Sequence, residues 1–191
     1  MNFLAHAYLS FGDPDILVGN MIADLIKGKQ IEKYSQKIQH GIHVHRQIDA
    51  FTDKHALTHK TTKVFRESAE KYAGPFLDVA YDHFLALDRE NEPASGWEIF
   101  AQESYKQIEN YTDILPPEFC RLFKYMKEED WFYNYRFKWL IEESFDNLKR
   151  RANYLNDDAP VFQAFESHYQ EIEDSYKLFF PELKDFVKSI L

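Results

Sequence analysis

A single cysteine, Cys120, stands in a chain of 191 residues. One cysteine excludes an internal disulfide and a cysteine-built zinc cluster, and it fits a reducing compartment. Six glycines and seven prolines are too few for a collagenous or linker-like chain. No apolar run approaches the roughly 20 residues that span a bilayer. Positive charge is in deficit: 23 Lys and Arg against 32 Asp and Glu leave a net charge of −9. That balance weighs against nonspecific binding to nucleic acid or to an anionic membrane. The start, Met1-Asn2-Phe3-Leu4-Ala5-His6, has neither the basic segment nor the small-residue cleavage site of a secretory signal, so the cytoplasm is the expected compartment. Glycine-rich phosphate loops, dinucleotide fingerprints and Gly-x-Ser-x-Gly elbows are also missing.

Hydrophobic residues make up 45% of the chain and aromatics 17%. A chain of this size buries roughly 70% of its unfolded surface, enough for a core without staples. The apolar residues recur with a helical period, and no stretch alternates cleanly as a strand would. Asp13-Pro14 reads as an N-cap and first helical residue, opening a helix that should run to Lys27 and stop at Gly28. Residues 31–39 read as a short helix. Residues 41–54 read as a helix with Val44, Ile48 and Phe51 on its buried stripe. Further helices are expected over 56–72, ended by Gly74-Pro75, and over 75–88, 97–111, 116–129, 130–153, 158–178 and 181–190, with a break near 91–96. The expectation is an all-α, single-domain multi-helix bundle. Its first part, about 1–88, carries the candidate chemistry, and a helical remainder follows from about 97 to 191. Within that remainder, Trp131-Phe132-Tyr133-x-Tyr135 and Phe179-Phe180 read as core, or as the lining of a groove.

Seven of the eight histidines lie in the first 83 residues, among aspartates in apolar surroundings. His45, Asp49 and Asp53 are spaced i, i+4, i+8 and share one helix stripe beside the apolar one. Alone, His45 and Asp49 would be an ordinary surface ion pair. Asp78, Tyr81, Asp82 and His83 fall in a helix apolar nearly all round, where a carboxylate must be paired, neutral or bound to a cation. Asp24 shares a stripe with Leu17 and Met21 and is expected to be buried. His6, in a short apolar segment, would by itself be a core histidine. Together, His6, Asp24, His45, Asp49, Asp82 and His83 form a candidate metal set from four helices. Mixed imidazole and carboxylate ligands suit Mn²⁺, Fe²⁺ or Zn²⁺, with Mg²⁺ possible where carboxylates dominate.

At these residues the chain resembles a known family. Asn-Phe-Leu-Ala-His at 2–6, Gly-Asn-x-x-Ala-Asp at 19–24, His-Arg-x-Ile-Asp-x-Phe-Thr-Asp at 45–53 and Tyr-Asp-His-Phe-Leu-Ala at 81–86 are similar to the acyl carrier protein phosphodiesterases. The motifs keep their order and cover most of residues 1–88. The resemblance implies an α-helical fold distantly like the HD-domain phosphohydrolases. It implies a divalent metal, Mn²⁺ foremost, held by His6, Asp24, His45, Asp49, Asp82 and His83. It also implies hydrolysis of the 4′-phosphopantetheine arm from holo acyl carrier protein. Two departures stand out. HD enzymes present His then Asp, whereas the order here is Asp82 then His83, and Lys54-His55-Ala56 follows Asp53 where a proline after the histidine is the pattern.

On that reading His83 or His45, if not ligated, protonates the departing serine, and Arg46 clamps the phosphate. The carrier protein is strongly acidic, like this chain, so docking needs a local basic patch. Lys27, Lys29, Lys33 and Lys37 supply one beside Asp24, and Lys149, Arg150 and Arg151 form a second cluster. Two other functions compete: an HD-like hydrolase of a nucleotide or other small phosphate ester, and a non-catalytic helical binding protein whose Asp and His pairs are structural.

Overall fold

The computed structural model describes residues 1–152 and 155–191. A six-residue helix, α1 (Phe3–Tyr8), opens the chain. The Asp13 carboxylate then accepts hydrogen bonds from the amides of Asp15 (2.9 Å) and Ile16 (3.1 Å), capping α2 (Pro14–Ile22) as its place before Pro14 predicts. The helix ends earlier than expected, passing at Ile22 into a 3-10 turn, Ala23–Leu25. Gly28, at φ +53°, begins a second such turn, Gly28–Lys33.

The Ser35 hydroxyl accepts from the Ile38 amide at 3.3 Å and starts α3 (Gln36–Lys54) five residues before the expected position. The segment 31–39 is therefore divided between a turn and α3. Val44 and Ile48 are fully buried along α3, and Phe51 stacks on Phe186 at 4.7 Å.

The expected helix 56–72 is broken into α4 (Ala56–Thr61), α5 (Arg66–Ala69) and intervening 3-10 turns, with Glu70 at φ +48°. Gly74-Pro75 does not end a helix. It lies in the first turn of α6 (Ala73–Leu87), where the amide a proline lacks has no helical partner in any case.

After the loop 88–96 come α7 (Trp97–Glu109), α8 (Pro117–Glu128), α9 (Trp131–Asn134), α10 (Lys138–Arg151), α11 (Val161–Ser167) and α12 (Tyr169–Ile190). The expected helix 130–153 is interrupted between α9 and α10, and its last residue lies outside the described ones. Phe180-Pro181 proves to be no boundary, because α12 runs through Pro181. Pro181 is exposed, while Ile172, Tyr176, Phe179, Phe180, Leu183 and Val187 are buried along the same helix. Burial of that face outweighs the roughly 3 kcal/mol that an interior proline costs.

No strand occurs among the described residues, and the fold is all-α. One hydrophobic core joins both parts of the chain, from Leu4 and Ile22 to Phe145 and Phe179. The break at 89–96 is therefore a loop of one domain. Asn91 in that loop accepts from Lys184 of α12 at 2.6 Å. No helix among the described residues is long and apolar enough to cross a membrane.

The crossing of α2 and α3 sets the frame of the site. A Cβ on Gly19 would lie 2.5 Å from the Ile38 carbonyl oxygen, and one on Gly41 would lie 2.7 Å from the Ile16 carbonyl oxygen. Only glycine lets the two backbones approach this closely. The chain just beyond this crossing carries Asp24 at one end and His45 and Asp49 at the other.

Candidate active site

Three of the expected ligands meet. His6 Nε2 lies 3.2 Å from Asp49 Oδ1, and His45 Nε2 lies 3.1 Å from Asp49 Oδ2. The two imidazoles stack with ring centroids 4.0 Å apart and planes 18° from parallel. Among the described residues, His6, His45 and Asp49 form the group whose ligand atoms all fall within 4.8 Å of one another. Asp24 joins through His45, whose Nε2 lies 3.2 Å from Asp24 Oδ1. Contrary to expectation, Asp24 is not buried. Its side chain is 84% exposed, because α2 has already given way to the 3-10 turn that turns it outward.

Secondary contacts hold this cluster in place. The His6 carbonyl accepts from the Ser10 hydroxyl at 2.8 Å and from the Asn20 amide at 3.1 Å, and Asn20 also donates to Ser10 at 2.8 Å. The Met1 ammonium sits 2.9 Å from Asp78 and 3.8 Å from Asp49. Asn20 and Asp78 escape motif reading as site residues, although Asp78 stands out in the sequence as a carboxylate in an apolar helix.

The charges of the cluster follow from burial and neighbours. Burial works against the charged form of His45, but Asp24 and Asp49 outweigh it and hold its pKa at about 9. Burial, and next the charge of His45, push His6 down to about 4 despite the nearby Asp49 carboxylate. Burial would raise Asp49, yet the hydrogen bonds from His45 and His6 keep its carboxyl well below the usual carboxylate range.

Asp82 and His83, also expected as ligands, do other work. Asp82 is fully buried and accepts from the amides of Asn2 (3.2 Å), Leu4 (2.7 Å) and Ala5 (3.3 Å). It caps the first turn of α1 from across the core, where the Asn2 side chain makes no cap. Burial raises its pKa to about 7, against the pull of the Met1 ammonium and the three amides. His83 donates from Nδ1 to the Tyr135 carbonyl at 2.7 Å, and its Nε2 accepts from the Tyr169 hydroxyl at 2.8 Å. Burial depresses it to about 4, so the ring is neutral. With both nitrogens engaged inside the core, His83 is neither part of the cluster nor placed to protonate a substrate.

Arg46 also departs from expectation. Its guanidinium donates to the Ile26 carbonyl at 2.9 Å, and it does not line the cavity described next. Asp53 is exposed on α3 and stands outside the cluster. Lys27, Lys29, Lys33 and Lys37 are all exposed along the segment that follows Asp24, as the basic patch requires.

The cluster opens into a cavity of about 490 Å³, within the roughly 300–1,000 Å³ of small-molecule sites. One wall carries His6, Asp24, His45 and Asp49. The rest of the lining includes Phe119, Leu122, Trp131 and Leu148, from α8, α9 and α10. An open cavity beside preorganised imidazoles and carboxylates suits metal-assisted hydrolysis of an anionic ester.

Comparison with known proteins points the same way. The family model for acyl carrier protein phosphodiesterase matches residues 1–183. A protein of Photorhabdus laumondii named acyl carrier protein phosphodiesterase is 31% identical, over 97% of this chain and 98% of its own length. One of Klebsiella pneumoniae with the same name is 30% identical over 96% and 95%, and one of Salmonella paratyphi A is 28% identical over the same shares. The fold and site define an all-helical protein with an acid-and-imidazole centre facing a cavity. The chain belongs to the acyl carrier protein phosphodiesterase family. No solved structure matches it.

Proposed function

We infer that the protein hydrolyses the phosphodiester joining 4′-phosphopantetheine to the serine of holo acyl carrier protein. The observation that supports this most is the open His6–His45–Asp49 cluster, in a chain of this family. Water adds to phosphorus, the bond from phosphorus to the serine oxygen breaks, and that oxygen takes a proton. The products are apo carrier protein and free phosphopantetheine.

The cluster fits a divalent cation. Nδ1 of His6 and Nδ1 of His45 are buried without a hydrogen-bond partner, and both Nε2 atoms face Asp49. The 3.1 and 3.2 Å separations match the roughly 3–3.4 Å between ligands bonded at about 2.1 Å to one ion. His6, His45 and Asp49 would hold the metal, with Asp24 as the fourth group and Mn²⁺ as the expected ion. When bound, such an ion supplies Lewis-acid polarisation of the phosphate and an acidified water.

The chain's own residues do the rest. Ser10 and Asn20 fix the His6 backbone, and Asp82 fixes the start of the helix that carries it. Of the two histidines expected to protonate the serine when not ligated, His83 is engaged in the core and His45 belongs to the metal-holding cluster, so neither takes that role. The exposed lysines at 27, 29, 33 and 37 offer the acidic carrier a docking edge.

Intact-mass analysis of holo acyl carrier protein incubated with the protein and Mn²⁺ tests this reading. Loss of the phosphopantetheine mass, with recovery of the free arm, is expected. Unchanged holo protein, alongside rapid hydrolysis of nucleotides or other small phosphate esters, would contradict it.

A further inference from the structure

One face of α10 lines the cavity. Ser144, Asn147, Leu148 and Arg151 line the same cavity as the histidine cluster, at the i, i+3, i+4, i+7 spacing of a single helical stripe. Three of the four are polar, and Ser144, Asn147 and Leu148 are only half-buried, so this stripe is not core. Beside it, Phe119, Leu122 and Trp131 supply an apolar wall. The carboxylate on that wall, Glu118, lies 3.7 Å from Arg121.

The cations of the neighbouring basic cluster differ in what they hold. Lys149 is 2.8 Å from Asp146 and donates to the Asp157 carbonyl at 2.8 Å. Arg150 donates to Asn147 Oδ1 at 3.2 Å. Arg151 makes no ion pair or hydrogen bond among the described residues, and it is exposed at the cavity edge. A free guanidinium at the mouth of a cavity that ends in a hydrolytic centre is a ready contact for an acidic partner.

We propose that this α10 stripe is the substrate-recognition element of the site. Ser144, Asn147 and Leu148 hold the pantetheine arm, and Arg151 pairs with the acidic carrier surface around the modified serine. The match is chemical. The arm is a slender chain with two amides, which needs alternating apolar contact and side-chain hydrogen bonds. Leu148 and Leu122 provide the first, and Ser144 and Asn147 provide the second. The carrier remains outside the cavity, where Arg151 is exposed. This deepens the proposed function and rests on it.

Steady-state kinetics on holo acyl carrier protein test the proposal at low and high ionic strength. Arg151→Ala should raise KM roughly tenfold at low salt, and the defect should shrink as salt screens the pair. Arg151→Lys should restore most of the affinity, because the role is charge. Ser144→Ala with Asn147→Ala should raise KM to a similar degree at either salt concentration. Lys124→Ala removes an exposed cation elsewhere on the molecule, 3.9 Å from Glu128, and should behave as wild type. Wild-type KM in both the Arg151 and the Ser144/Asn147 variants, or an Arg151→Ala defect that salt does not change, would overturn the proposal while leaving the proposed function intact. A wild-type protein that releases no phosphopantetheine would overturn the function itself.

Discussion

Asp82 and His83 are neighbours in the chain whose buried states respond to acid in opposite senses. Burial raises the Asp82 pKa to about 7, so its stability contribution grows as pH falls from 7 toward 4. His83 is depressed from 6.5 to about 4, chiefly by burial, with Lys138 lowering it and Glu173 and the Tyr135 carbonyl raising it. Its contribution is complete above pH 6.5 and is lost as pH falls through 4, because the unfolded chain takes the proton first. The shift corresponds to about 3 kcal/mol. The stability advantage of wild type over His83→Gln should therefore shrink by about that amount between pH 7.5 and 4. Urea unfolding at several pH values checks this, and parallel curves for the two proteins would contradict it. At this scale the sequence showed the chemistry better than the assignments. His45 and Asp49 were legible because they share one helix stripe, and His6 because it closes the separate Asn-Phe-Leu-Ala-His motif. Asp82 and His83 were not, since adjacent residues diverge by about 100° around a helix, and which partner each meets depends on α1, α9 and α12. Arg46 was misleading because its partner, the Ile26 carbonyl, lies 20 residues away in the chain.

Among the elements, the α2–α3 crossing is the most sensitive joint. Gly19→Ala or Gly41→Ala forces a methyl group into backbone atoms at 2.5–2.7 Å, and the helices must separate. Overpacking of this kind costs about 1–3 kcal/mol. Because Asp24 follows one helix and His45 rides on the other, turnover should fall together with the thermal midpoint. A variant with wild-type stability and turnover would show that the crossing tolerates expansion. Helix type was readable from periodicity, but helix lengths and boundaries were not, as the shortened α2, the extended α3 and the broken 56–72 segment show. Pro181 and Gly74-Pro75 were misread as breaks because local propensity yields to a buried face in one case and to the free first turn in the other. The interruption between α9 and α10 is also tertiary: the Tyr135 carbonyl is taken by His83 and not by a helical amide.

The whole molecule carries a net charge of −9 and is proposed to act on an acidic protein. Encounter must then depend on local positive edges within a Debye length, about 8 Å at physiological salt. Replacing Lys27, Lys29, Lys33 and Lys37 by Gln should raise KM for holo acyl carrier protein and flatten its salt dependence, with kcat retained. An unchanged KM at low salt would remove these lysines from the docking surface. That two distant parts of the chain line one cavity could not be read from the sequence, where the motifs stop near residue 88. His6, His45 and Asp49 are proposed to form a cation-binding hydrolytic centre from which His83 stands apart. Titration of Mn²⁺ into chelator-treated protein, followed by calorimetry, tests it most directly. Wild type and His83→Gln should bind the ion alike, and Asp49→Asn should bind at least about 100-fold more weakly. Undiminished binding by Asp49→Asn, or loss of binding in His83→Gln, would contradict the account.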